Sequence, residues 1–65
     1  MTIQTWHLDR SLRPFRTDEK VPRFTSEKLA LDLLYKRINE LRDAEDVTHI
    51  SLCRDNGDII ETHIV

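Results

Sequence analysis

The sequence is 65 residues long and holds one cysteine, one glycine, one tryptophan and two prolines. Each scarcity excludes something. The lone Cys53 can close no intrachain disulfide and can anchor no multi-cysteine zinc framework. Packing or a partner must therefore stabilise a chain whose size lets it bury only about 60% of its unfolded surface. The lone Gly57 rules out a glycine-rich phosphate cradle, which weighs against nucleotide-dependent chemistry. No segment approaches the roughly 18 apolar residues of a membrane span. Residues 1–7 lack the cationic-then-apolar order of a secretory signal, so a cytoplasmic location is expected. Neither charge sign dominates: 10 Lys and Arg against 12 Asp and Glu leave a net charge of −2. That balance excludes a bulk polyanion binder and a strongly acidic DNA mimic alike.

The charges that are present lie unevenly. Residues 1–24 carry five basic and three acidic side chains, a balance of +2, and residues 25–65 carry five and nine, a balance of −4. The strongest local pattern is a helix over 26–43. Ala30, Leu33, Leu34, Ile38, Leu41 and Ala44 share one side at 100° per residue, with Asp32, Lys36, Asn39, Glu40 and Asp43 opposite. Thr25 suits the N-cap, Glu27 complements the dipole in the first turn, and Phe24 with Leu29 has the spacing of a hydrophobic staple. Arg37 projects onto the apolar side, and Leu29 and Tyr35 widen the stripe beyond what a small monomer needs.

Residues 47–64 read as a hairpin about Arg54-Asp55-Asn56-Gly57-Asp58. A type I turn over residues 54–57, with left-handed Gly57 at a bulge, predicts Leu52 opposite Ile60, Ile50 opposite Thr62 and Thr48 opposite Ile64. Those six residues then form the plate on which the helix lies. Residues 2–8 read as a strand, with Gln4, Trp6 and Leu8 on one face and Ile3, Thr5 and His7 on the other, and Trp6 is expected to enter the core. Residues 9–25 form either an edge strand, which tolerates Pro14 only at an edge, or a free basic arm. The expected architecture is α+β: one single small domain over residues 1–65, with one amphipathic helix on a three- or four-stranded, mainly antiparallel sheet, in the order β-(β)-α-β-β. It resembles small bacterial and phage proteins built this way that end in a polar-Gly hairpin. Phe24-Thr25-Ser26 and the residue 54–58 turn carry the likeness.

Few constellations carry chemistry. In the predicted register His49 faces His63 on the outer sheet surface and His7 joins them, a three-imidazole arrangement that could ligate zinc; as solvent-facing strand residues they need no such role. Cys53 lies beyond the reach of a histidine base along an extended strand and reads as a small rim hydrophobe. The acidic pairs Glu45-Asp46 and Asp55 with Asp58 lack calcium-loop spacing. Neither a catalytic group nor a cofactor is expected, so no enzymatic activity is.

The stretch over residues 10–16 combines Arg10, Arg13 and Arg16 with Phe15, the composition of protein-interface hot spots and also of single-strand nucleic-acid contacts. Ion pairing of these arginines within the chain is an equally simple reading. The expectation is a small intracellular protein-binding module, of the type of a phage- or mobile-element inhibitor or accessory subunit, that occludes a larger protein's surface and that could also form a homodimer. Trp6, Arg10, Arg13, Phe15, Arg16 and Tyr35 are its contact candidates. A nucleic-acid-associated regulator using residues 10–16 is the alternative, and a metal site at His7, His49 and His63 a distant third.

Overall fold

Two segments far apart in sequence form the centre of the sheet. Strand β1 (Thr2–Leu8) lies antiparallel to β3 (Val47–Cys53), flanked by β2 (Pro14–Lys20) and β4 (Ile59–Ile64), in the order β2-β1-β3-β4. The computed structural model describes residues 1–65. Helix α1 (Glu27–Leu41) crosses one face of this sheet and leaves the other open. The observed β-β-α-β-β order, with one helix on an antiparallel sheet, is the expected α+β architecture.

The helix begins one residue later than Thr25 suggests. Ser26 is the N-cap, its Oγ accepting from the Leu29 N–H at 3.2 Å, because Thr25 is taken up by the preceding turn, where its N–H and hydroxyl both donate to the Pro22 carbonyl. Phe24 adopts φ +66° in that turn and its side chain is fully exposed at 101%. No Phe24–Leu29 staple forms. Leu12, at φ +62° in the β1–β2 turn, is the other non-glycine residue held left-handed, a conformation that strains L side chains.

Ile3, Ile50 and Leu52 supply the sheet's side of the core, and Ala30 and Leu34 the helix's side, each 0–1% exposed. Val21 and Val47 close the two ends. Ile3 sits opposite Leu52 and Thr5 opposite Ile50, so the central strands concentrate their aliphatic residues on the helix side. Trp6 is consequently not in the core. Its cross-strand neighbours are Arg16 and His49, and all three lie on the open face. Burying Trp6 would have carried both polar neighbours under the helix with it.

The β3–β4 turn forms as expected: the Gly57 N–H donates to the Arg54 carbonyl at 2.9 Å, and Gly57 has φ +95°. The register beyond it differs from the prediction. A second irregularity between Leu52 and Cys53 makes Ile60 an extra residue, so Cys53 pairs with Ile59 but Leu52 pairs with Glu61 and Ile50 with His63. Glu61 and His63 therefore face the helix side, whereas Thr62 and Ile64 face outward. A matching bulge in β3 places Trp6 opposite His49 but His7 opposite Val47, with Thr48 as the extra residue. Each bulge flips the alternation for everything beyond it.

Residues 14–20 form a true edge strand rather than a free arm, with Pro14 at its first position, where a missing N–H costs no ladder bond. An ion pair fastens this strand to the helix. Arg37 donates from Nε and Nη2 to both Glu19 carboxylate oxygens, at 2.7 and 2.8 Å, and from Nη1 to Glu40. That geometry accounts for an arginine on the apolar side of α1. The Arg37 hydrogen bonds hold the Glu19 carboxyl below its ordinary value. A depressed folded-state pKa contributes stability that is present above the unfolded value of about 4.3 and is lost as pH falls through the folded one. Glu19→Gln should accordingly melt a few degrees below the wild type at pH 7, and the gap should shrink as the pH falls below about 4.3. A gap that stays constant on acidification in thermal melts would show that the pair adds nothing.

Candidate functional site

The open face is built from cross-strand rows, because every outward residue of one strand aligns with one on its neighbour. One row runs through Arg16, Trp6, His49 and Ile64, each paired with the next across all four strands. The adjoining row is Asp18, Gln4, Ser51 and Thr62, small and polar, with Ser51 and Thr62 sharing a hydroxyl hydrogen bond of 2.9 Å. The third holds Lys20, Thr2, Cys53 and Ile59. A shallow recess of about 570 Å³ lies over the third row, bounded by Arg16, Asp18 and Gln4 on one side and by the β3–β4 turn on the other.

Trp6 is the anchor of the first row. The Arg16 guanidinium lies over the indole at 5.5 Å from β2, and the His49 ring stacks at 5.5 Å and 15° from β3. Arg16 is itself held by Asp18, Nε to Oδ1 at 2.9 Å. On the other flank, the Thr48 hydroxyl donates to the Trp6 carbonyl at 3.2 Å and stands 2.9 Å from His49 Nδ1. Thr48 thereby ties the His49 ring to the Trp6 backbone and fixes its place beside the indole. The result is a preorganised surface: an aromatic plate held on two sides, an imidazole next to it, and Ile64 beyond, 88% exposed.

The other sequence candidates do not converge on Trp6. Strand alternation sends Phe15 to the opposite face from Arg16, where it stacks on His7 at 4.5 Å. Arg10 and Arg13 stand exposed at the β1–β2 turn, where Asp9 binds the Ser11 and Arg13 amides. Tyr35 lies on α1 beside β4, its ring edge-on to His63 at 5.4 Å. The neighbouring Glu61 carboxylate raises the Tyr35 pKa, and Tyr35 together with His63 Nε2, 3.1 Å from the carboxylate, lowers that of Glu61. The Tyr35, Glu61 and His63 cluster and the place of His49 beside Trp6 had no sequence signal, since both depend on register.

The three histidines do not meet. His49 lies on the open face, whereas His7 and His63 face the helix side from strands separated by β3, and His7 is engaged by Asp46 at 3.2 Å and Thr17 at 3.0 Å. No group of three or more His, Cys, Asp or Glu side chains is placed to hold a metal ion; the three-imidazole arrangement does not form, because the bulge at Ile60 turns His63 to the helix side and β1 presents Trp6, not His7, to the face that carries His49. Cys53 is 5% exposed, and its thiol donates to Gln4 Oε1 at 3.4 Å. Burial pushes its pKa up, which opposes formation of the reactive thiolate. Native protein should react with iodoacetamide at least tenfold more slowly than protein in denaturant, an estimate on the order of what thiolate suppression and burial impose; equal rates would mean that the site opens freely.

No helix is long and apolar enough to cross a membrane. The chain matches no protein-family model, no curated protein and no solved structure.

Proposed function

We propose that this protein is a small non-catalytic binding module that docks on a larger protein through the open face of its sheet. It would act in the manner of an inhibitor or accessory subunit, by occluding the surface it covers, and a reducing cytosolic setting suits its single buried thiol. The observation that carries this reading is the fixed row of Arg16, Trp6, His49 and Ile64 on a sheet face that no element of the chain covers. Tryptophan and arginine are the side chains most enriched at interface hot spots, and here both are ordered before a partner arrives, which lowers the entropy cost of association.

The same geometry weighs against the nucleic-acid reading. A base stacks on a free aromatic face, and Trp6 has Arg16 on one side and His49 on the other. The recess mixes Arg16, Lys20 and Arg54 with Asp18 and Asp55, a balance that suits a polypeptide better than a polyanion.

The test is affinity capture from host lysate with and without nuclease, using wild type and Trp6→Ala in parallel. A stoichiometric protein that survives nuclease and is lost with Trp6→Ala supports the proposal. Recovery that disappears on nuclease treatment would put the regulator reading, with Arg10 and Arg13 as phosphate contacts, in its place.

A further inference from the structure

The two edges of the sheet are defended differently. Strand β2 opens with Pro14 and presents Arg16, Asp18, Glu19 and Lys20, the charged side chains that keep an edge from pairing with another strand. Strand β4 has no proline and no lysine. It reads Ile59, Ile60, Glu61, Thr62, His63, Ile64, followed by Val65, and Ile59, Ile64 and Val65 are all exposed. Its only irregularity lies at the turn end, at Ile60, so residues from Glu61 onward form a regular edge.

The polar groups available on that edge follow from the ladder. The Val65 N–H donates to the Thr48 carbonyl at 3.0 Å. Alternate residues of a strand point their amides the same way, so Glu61, His63 and Val65 turn toward β3, and Thr62 and Ile64 direct N–H and C=O outward. The segment from Ile60 to Ile64 is also nearly palindromic in chemistry: isoleucine, acid, threonine, histidine, isoleucine.

We propose that β4 pairs antiparallel with β4 of a second copy of this chain about a two-fold axis through Thr62. The two Thr62 residues exchange backbone hydrogen bonds on the axis. Each Glu61 then stands opposite the other copy's His63, twice by symmetry, and the Ile59–Ile60 end of one strand meets the Ile64–Val65 end of the other. No other antiparallel register pairs both Glu61 residues with both His63 residues: a two-fold at Glu61 or at His63 sets like groups against themselves. The occupant is thus specified by the complementarity of the Glu61 carboxylate, an acceptor, and the His63 imidazole N–H, a donor, and an isologous contact of this kind closes at two copies rather than growing into a fibre. The result is a continuous eight-stranded sheet. This inference is independent of docking on the open face, since the edge and the face are different surfaces.

The test is the solution mass by light scattering and analytical ultracentrifugation at neutral pH. Wild type is expected at twice 7.7 kDa over a concentration series reaching millimolar. Thr62→Pro removes an amide that the chain's own ladder does not use, and should be monomeric with a native circular dichroism spectrum. His63→Glu sets carboxylate against carboxylate at both symmetry-related positions and should weaken the dimer on the order of tenfold; the double exchange of Glu61→His with His63→Glu should restore it. Should Thr62→Pro fail to fold, the exchange series carries the test alone. A wild type monomeric throughout the series overturns the proposal, as does a dimer that survives Thr62→Pro in folded protein or ignores the charge series.

Discussion

Leu34→Ala is expected to lower the melting temperature by about 10 °C or more, the largest stability effect of any single truncation in α1. Leu34 is 0% exposed and packs among Ile3, Ile50 and Leu52. Truncating such a leucine costs about 2–5 kcal/mol, transfer and cavity terms together. A chain of this size has about 3–10 kcal/mol of total stability, so the variant sits near the edge of folding at 37 °C. Each kcal/mol corresponds to about 4–8 °C in so short a domain. The companion Leu29→Ala, at a position 59% exposed, should stay within about 0.5 kcal/mol of wild type. Thermal melts of the pair decide the matter: equal destabilisation would mean that α1 does not present Leu34 to the sheet, and the described core would be wrong.

Trp6→Ala should weaken partner binding by about 30-fold or more while leaving the helix and sheet intact. Hot-spot tryptophans cost 2 kcal/mol or more when truncated, and about 1.4 kcal/mol is a factor of ten in affinity. The fold tolerates the change because Trp6 belongs to no part of the buried cluster; what is lost is the plate between Arg16 and His49. Phe15→Ala is the control, since Phe15 stacks on His7 on the other side of the sheet. Titration of the captured partner with both variants separates the faces. Loss with Phe15→Ala and retention with Trp6→Ala would move the interface to the helix side.

The open face and the β4 edge give the molecule two surfaces of different character. The face offers fixed side chains and suits a partner of complementary shape. The edge offers backbone hydrogen bonds and suits another strand. A dimer through the edge would place two copies of the Trp6 row on one continuous sheet surface, with Ile64 of each near the junction, so a two-fold symmetric partner could gain avidity from both.

Much of the fold was legible from single segments. The 3.6-residue apolar pattern marked α1, although its cap lies at Ser26 because the turn claims Thr25. Arg54 to Asp58, with the one glycine at positive φ, marked the β3–β4 turn. Strand β2 was half hidden: after Phe15 it holds Arg16, Thr17, Asp18, Glu19 and Lys20, which gives no apolar alternation to read. It is ordered by the ladder to β1 and by the Arg37 clamp on Glu19.

The amino-acid sequence by itself determined the elements, their order and the helical stripe that becomes half of the core, since these follow from local periodicity, capping and turn chemistry. Which face each strand residue occupies was decided only in the tertiary structure. Thr48 and Ile60 each add one residue to a ladder, and a bulge is a relation between two strands that neither strand encodes alone. The β1–β3 pairing sets Trp6 beside His49 in the open, the insertion at Thr48 turns Val47 into the core, and the insertion at Ile60 sends Glu61 and His63 to the helix side of the β4 edge, where a second copy can pair with them.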